Sequence, residues 1–128
     1  MLKTKSVHSP IDRAGDGLRI LATRFRGRGL PKQRYDVWMA NLGPSEALLR
    51  AYRSEPNWPR FVREYRREML GGDENDRRNR VIRNHGQKFT LRLIKHLAQR
   101  GNVTLLCHCA ETEKHCHRHV LRQLIQRM

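Results

Sequence analysis

A chain of 128 residues can bury a core without disulfides, and residues 1–128 are expected to form a single domain. With 27 Lys+Arg against 12 Asp+Glu, a formal charge of +15, polyanions are the favoured partners, nucleic acid first. No apolar run nears the roughly 20 residues of a membrane span, no apolar leader follows Met1, and three cysteines exclude a disulfide framework, so a cytoplasmic protein with reduced thiols and no membrane partner is expected.

Thr4 to about His8 reads as a short first strand, and Ser9-Pro10 to Asp16-Gly17 is turn-rich. Leu18 to Phe25 is mostly apolar and of strand length, which suits a central strand covered on both faces. From Arg24 to Lys32, Arg24, Arg26, Arg28 and Lys32 crowd around Gly27 and Gly29. Glycines at such positions permit unusual backbone angles. The stretch reads as an anion-binding loop at a strand end or, more plainly, as a surface turn with solvated charges.

A short helix is expected from Tyr35 to Asn41, stopped by Gly43-Pro44, and a second begins at Pro44-Ser45-Glu46 and turns Leu48, Leu49 and Tyr52 inward. Trp58, Phe61, Val62, Tyr65 and Met69 recur at helical spacing, while Arg60, Arg63, Arg66 and Arg67 occupy the other face. That basic face is the more plausible polyanion surface, and the aromatics are core. The run Arg77 to Arg83 reads as a loop or a short exposed helix that adds to the basic surface. Phe89, Leu93, Ile94 and Leu97 mark a helix from about Gln87 to Arg100, capped by Gly101.

Val103 to Cys107 is a β-branched and aliphatic run that reads as a buried strand, and a last helix runs from about Cys116 to Arg127. Helix, strand and helix joined by tight turns make the repeat unit of an α/β sheet, whose ligands lie beyond the carboxyl ends of the strands. The fold class expected is α/β, a small parallel or mixed sheet flanked by helices.

All three cysteines and four of the seven histidines fall between Cys107 and His119, directly after that strand. On the last helix, Val120, Leu121, Leu124, Ile125 and Met128 define the buried stripe, and His117 falls near its centre. Cys107, Cys109, Cys116 and His117 would then converge, with His108 and His115 as substitutes. Three thiolates and an imidazole suit tetrahedral zinc, although the C-x-C spacing differs from the usual paired ligands of structural sites. A second chemistry needs no metal. A thiol at a helix N-terminus beside His117 and Arg118 favours its thiolate, and the same N-terminus would bind phosphate. A third reading is inert, buried thiols.

The chain resembles the family called domain of unknown function 488, which includes the YeaO-like proteins. The likeness rests on Leu105-Leu-Cys107 through Cys109-Ala-Glu111 to Cys116-His117-Arg118, and on Asp16-Gly-Leu-Arg19 leading to Arg24, Arg28-Gly29 and Lys32. Trp38, Leu42-Gly-Pro44-Ser45, Leu48, Trp58, Phe61, Tyr65 and Glu68 continue it, so it covers nearly the whole chain. Thr23 and Arg26-Gly27 stand where many YeaO-like members have an aspartate and a Trp-Pro pair. The resemblance implies an α/β fold and no established activity.

The residues expected to carry chemistry are therefore Cys116, His117, Arg118 and Arg24, with Arg24, Arg28, Lys32 and Arg118 binding an anion. Cys107, Cys109, Cys116 and His117 are the expected metal ligands and zinc the expected ion. The function expected is phosphate-centred or nucleic-acid-related chemistry, metal-assisted. The rival is a non-enzymatic, zinc-stabilised module that contacts nucleic acid.

Overall fold

The computed structural model describes residues 1–71 and 86–128, and the basic run at 77–83 lies outside the described residues. Four strands form one parallel sheet: β1 (Leu2–Ser6), β2 (Leu18–Leu21), β3 (Val37–Trp38) and β4 (Val103–Cys107). Their order is β1-β4-β2-β3, so the strand latest in the sequence fills a central position. The uninterrupted apolar run of β4 explains that place, because a strand buried on both faces needs no polar alternation, and all five residues are buried.

Period-two geometry then divides the side chains between the two faces. Leu2, Ile20, Ala22, Val103 and Leu105 enter the main core beneath the helices, while Val7, Leu21, Leu30 and Leu106 form a small cluster apart from it. Away from the main core, α1 (Arg13–Asp16) places Asp16 among cations. Lys5 Nζ lies 3.1 and 3.2 Å from its two carboxylate oxygens, and Arg19 Nη1 donates to Oδ2.

The main core is closed by α2 (Glu46–Ser54), α3 (Trp58–Leu70), α4 (Lys88–Arg100) and α5 (His117–Arg127). Ser45 caps α2 by accepting from Leu48 N at 3.2 Å, and Asn57 caps α3 by accepting from Arg60 N at 3.1 Å. Phe61, Tyr65 and Met69 of α3 are buried, as their spacing predicts, and Tyr65 donates its hydroxyl hydrogen to Leu42 O. The last helix buries Val120, Leu121, Leu124 and Ile125 on its expected stripe.

Four expectations shift. The first strand is Leu2–Ser6 rather than Thr4 to His8, and the second ends at Leu21 rather than Phe25. Tyr35 to Asn41 is not a helix. Val37–Trp38 pairs with the open edge of β2, bracketed by Asp36 N to Arg19 O at 2.8 Å and Met39 N to Leu21 O at 2.9 Å. Those bonds satisfy edge groups of β2, a demand that outweighs local helix preference. On α4, Leu91 and Ile94 are buried while Phe89, Leu93 and Leu97 are exposed. Two apolar stripes overlap on that helix, and packing against α5 and β4 selects the one through Leu91 and Ile94. Among the described residues, no helix is long and apolar enough to cross a membrane.

Register collects the loops. Ser6 sits opposite Cys107 and Leu21 opposite Leu106, with Val7 N donating to Cys107 O at 2.8 Å and Ala22 N to Leu106 O at 2.9 Å. The segments that follow β1, β2 and β4 therefore emerge side by side at the carboxyl edge.

Candidate functional site

Cys107 shares a face of β4 with Val103 and Leu105, so its thiol projects towards the helices. The chain then loops outward through Cys109 and returns at Cys116, the N-cap of α5. The Sγ atoms of Cys107 and Cys116 come within 3.0 Å, and the three cysteine sulfurs all lie within 4.8 Å of one another. Cys107 and Cys116 are buried, whereas Cys109 is half-buried and forms the accessible side of the cluster.

Arg118 lies behind the sulfurs with no exposure at all. Its Nη1 donates to Cys107 Sγ at 2.6 Å and to Cys109 O at 3.4 Å, and its Nη2 donates to the carbonyls of Ala110 and Glu111, each at 3.1 Å. One side chain thus holds both the sulfur cluster and the loop that carries it. Glu111 adds a carboxylate oxygen at 3.6 Å from Nη2 and accepts from Ser9 Oγ at 2.8 Å. The far end of the loop is fixed by His115, whose ring stacks on Trp58 with centroids 4.7 Å apart and planes 12° apart.

His117 Nε2 donates to Ala22 O. A carbonyl only accepts, so Nε2 carries the proton and the Nδ1 lone pair is left facing Cys116 Sγ at 3.9 Å. Burial lowers the His117 pKa, which keeps the ring neutral. Hydrogen bonds from Cys107 and then Cys116, with the nearby positive charge of Arg118, hold the Cys109 thiol far below the ordinary thiol range. The other two thiols are pushed up, Cys116 by its bonds to Cys107 and Cys109, and Cys107 by its bond to Cys109. The lowered thiol is thus the half-buried one, and the two raised thiols are the buried ones.

Three sulfur donors so close together could coordinate a metal ion. Nδ1 of His117 adjoins Cys116 but stands outside the set whose ligand atoms are all mutually within 4.8 Å. His108 instead turns towards Phe25 O, 3.3 Å from its Nε2, and His115 is occupied by Trp58.

The cations expected to bind an anion are dispersed. Arg24 donates from Nε to Pro44 O at 3.0 Å and from Nη2 to Gly43 O at 2.7 Å, on the wall of a cleft of about 340 Å³ with Asn41, Arg67 and Gln87. Lys32 is exposed at the start of a 3-10 turn. Arg28 lines a second cleft, about 650 Å³ in volume, together with His8, Arg34 and His108. His8 and Arg34 escaped the sequence analysis. Neither belongs to a motif, and only strand register brings them beside the cysteine loop.

No curated relative and no solved structure matches the chain. One family model does, described as the active DUF488-N3 subclade, and its match takes in both ends of the carboxyl-edge constellation, from the loop after β1 to the helix that carries Arg118. With residues 2–128 matched, the chain belongs to the DUF488-N3a family.

Proposed function

We propose that the protein acts in phosphate-centred chemistry at the carboxyl edge of its sheet, assisted by a zinc ion on Cys107, Cys109 and Cys116. The observation that carries this reading is the convergence of the three sulfurs within 4.8 Å beside a cleft that holds Arg28 and Arg34. The donor set fits the ion. A Zn–S bond of about 2.3 Å in tetrahedral geometry separates sulfurs by about 3.8 Å, within the span of this cluster. A bound zinc would supply Lewis acidity and would keep its thiolate ligands deprotonated.

The chain's own residues have separable tasks. Arg118 balances thiolate charge and ties the loop carbonyls, and Cys109 leaves the cluster open on its half-buried side. Arg28 contributes positive charge in the cleft lined by His108, whereas Arg24 lies on the wall of the other cleft. The word "active" in the family description accords with a catalytic role. The test is elemental analysis of protein purified under reducing conditions without chelator. About one equivalent of zinc is expected, falling to near zero in Cys109→Ala; metal-free native protein would remove the reading.

A second reading has its own observation. His117 Nδ1 at 3.9 Å from Cys116 Sγ, with Nε2 tied to a backbone carbonyl, has the orientation common to ligating histidines. Four protein ligands would close the site and make the protein a zinc-stabilised module that contacts nucleic acid through the exposed Arg60, Arg63 and Arg67 of α3. Cobalt-substituted protein separates the two. A spectrum that shifts when a small exogenous ligand is added marks an open position, and an unresponsive one marks the closed module.

A further inference from the structure

The cleft beyond the strand ends has a composition of its own. It is walled by three segments far apart in sequence, each just past a parallel strand: His8 after β1, the loop from Gly27 to Arg34 after β2, and His108 after β4. Gly27 and Gly29 both have positive φ, at 90° and 73°. At Gly27 a side chain is excluded on a second count, since a Cβ there would meet the His108 ring at 2.7 Å. The loop backbone is therefore packed directly against that imidazole. The rings of His8 and His108 lie 5.9 Å apart, tilted by 40°.

Charge and hydrogen-bond capacity are concentrated here and left largely unused. Arg34 Nη2 donates to His8 O at 3.1 Å, which orients the guanidinium, and its other N–H groups make no hydrogen bond among the described residues. Arg28 is exposed and makes no hydrogen bond or ion pair among the described residues. Among the described residues no carboxylate lines the cleft, whereas the half-buried Lys5 and the buried Arg19 share Asp16. Leu30 supplies an apolar wall. Two guanidiniums neutralise two negative charges and His8 adds a donor, while the His108 ring, whose Nε2 faces Phe25 O, forms the wall beneath the loop. That inventory matches a phosphomonoester dianion, which carries up to two charges and three terminal oxygens, better than the single charge of a diester.

We infer that the His8–Arg28–Arg34–His108 cleft binds the terminal phosphate of a phosphomonoester, placing it beside the cysteine centre. The inference rests on the phosphate reading above but not on the metal. Two sources share this chemistry, a free mononucleotide and the 5′-phosphorylated end of a nucleic acid strand.

The experiment is calorimetric titration of the full chain, in its native metal state, with AMP, adenosine, and a short single-stranded oligonucleotide bearing either a 5′-phosphate or a 5′-hydroxyl. AMP is expected to bind and adenosine not to. The double variant Arg28→Gln/Arg34→Gln should weaken AMP binding by about tenfold or more, the loss expected for removing charge-assisted hydrogen bonds. The double variant Arg122→Gln/Arg127→Gln removes the same charge from the exposed side of α5 and should leave it unchanged. Should only the 5′-phosphorylated oligonucleotide bind with this arginine dependence, the monoester assignment holds and the source is a strand end. Equal binding of the two oligonucleotides with none of AMP overturns the inference and leaves the broader phosphate reading intact. Equal loss in both double variants also overturns it, because the affinity then reflects net charge. Zinc content measured on the same preparations reports separately on the metal centre.

Discussion

Among the described residues two arginines are buried, and their charge is met in different ways. Arg19 is tied to Asp16, a carboxylate that also takes Lys5, and donates from Nε to Arg34 O at 2.9 Å. Arg118, at the carboxyl edge, has its guanidinium against a sulfur and three backbone carbonyls, with only the half-exposed carboxylate of Glu111 nearby at 3.6 Å. A buried cation demands a counter-charge. At Arg19 a hard carboxylate provides it and the result is structural. At Arg118 the nearest groups are the Cys107 sulfur and backbone carbonyls, with the Glu111 carboxylate slightly further off, and its positive charge helps to lower the Cys109 thiol. The difference teaches that the same demand for a counter-charge is met by a carboxylate at one buried arginine and mainly by sulfur and carbonyl oxygens at the other.

The comparison can be broken most severely at Arg118. Arg118→Ala leaves three carbonyls without donors and the sulfur cluster without its cation. Unfolding by urea should show a loss of about 3–5 kcal/mol, the cost of breaking a buried charge pair. Asp16→Asn tests the other arginine. Its expected loss is lower, about 2–3 kcal/mol, because Lys5 is 20 % exposed and can turn its charge towards water.

Acid sharpens the same contrast. Burial alone would raise the Asp16 pKa, but the hydrogen bond from Lys5, that from the Asp12 backbone, and the charge of Lys5 outweigh it, so the folded-state value is lowered. The unfolded chain then binds the proton more readily. The stability from Asp16 is full above the unfolded value of about 3.9 and is lost as pH falls through the lower folded value. Wild type should lose this increment in a urea series below about pH 4, and Asp16→Asn should not.

The smallest effect is one of rate. Iodoacetamide should modify Cys109 before the buried Cys107 and Cys116, and pre-treatment with chelator should accelerate it if zinc is bound. Site-resolved mass spectrometry reads the order directly. Faster labelling of Cys116 than of Cys109 would mean that the accessible thiolate has been assigned to the wrong sulfur.

How much of this was legible in the sequence depended on range. The stripes of α3 and α5, the buried run of β4 and the concentration of cysteines after it are local patterns, and each element formed where its pattern lay. Resemblance also pointed to Asp16, Arg19 and Arg118, yet without the partners that make them matter. The edge strand at Val37–Trp38 could not be read locally, since both residues are exposed and its reason for existing is the open side of β2. The phase of α4 was lost for a related reason, with two apolar stripes on one helix and the choice between them made by packing. His8 and Arg34 are ordinary surface residues in sequence and become neighbours of the cysteine loop only through the register of β1, β2 and β4.

The strand order has a consequence for how the molecule comes into being. β1 and β2 lie within the first 21 residues but do not pair with each other; each pairs with Val103–Cys107. β2 can meet its edge partner Val37–Trp38 early, but the central partner of both strands follows only about 80 residues later, a long loop to close and a high contact order. Completion of the sheet is thus postponed until Val103–Cys107 has left the ribosome, and the nascent chain depends until then on its local helices and the β2–β3 pair. Because Cys109, Cys116 and Arg118 follow directly on that same strand, closing the sheet and assembling the sulfur cluster become one event. A translating chain halted before residue 103 would lack the strand that joins β1 to β2 and, with it, every cysteine of the cluster.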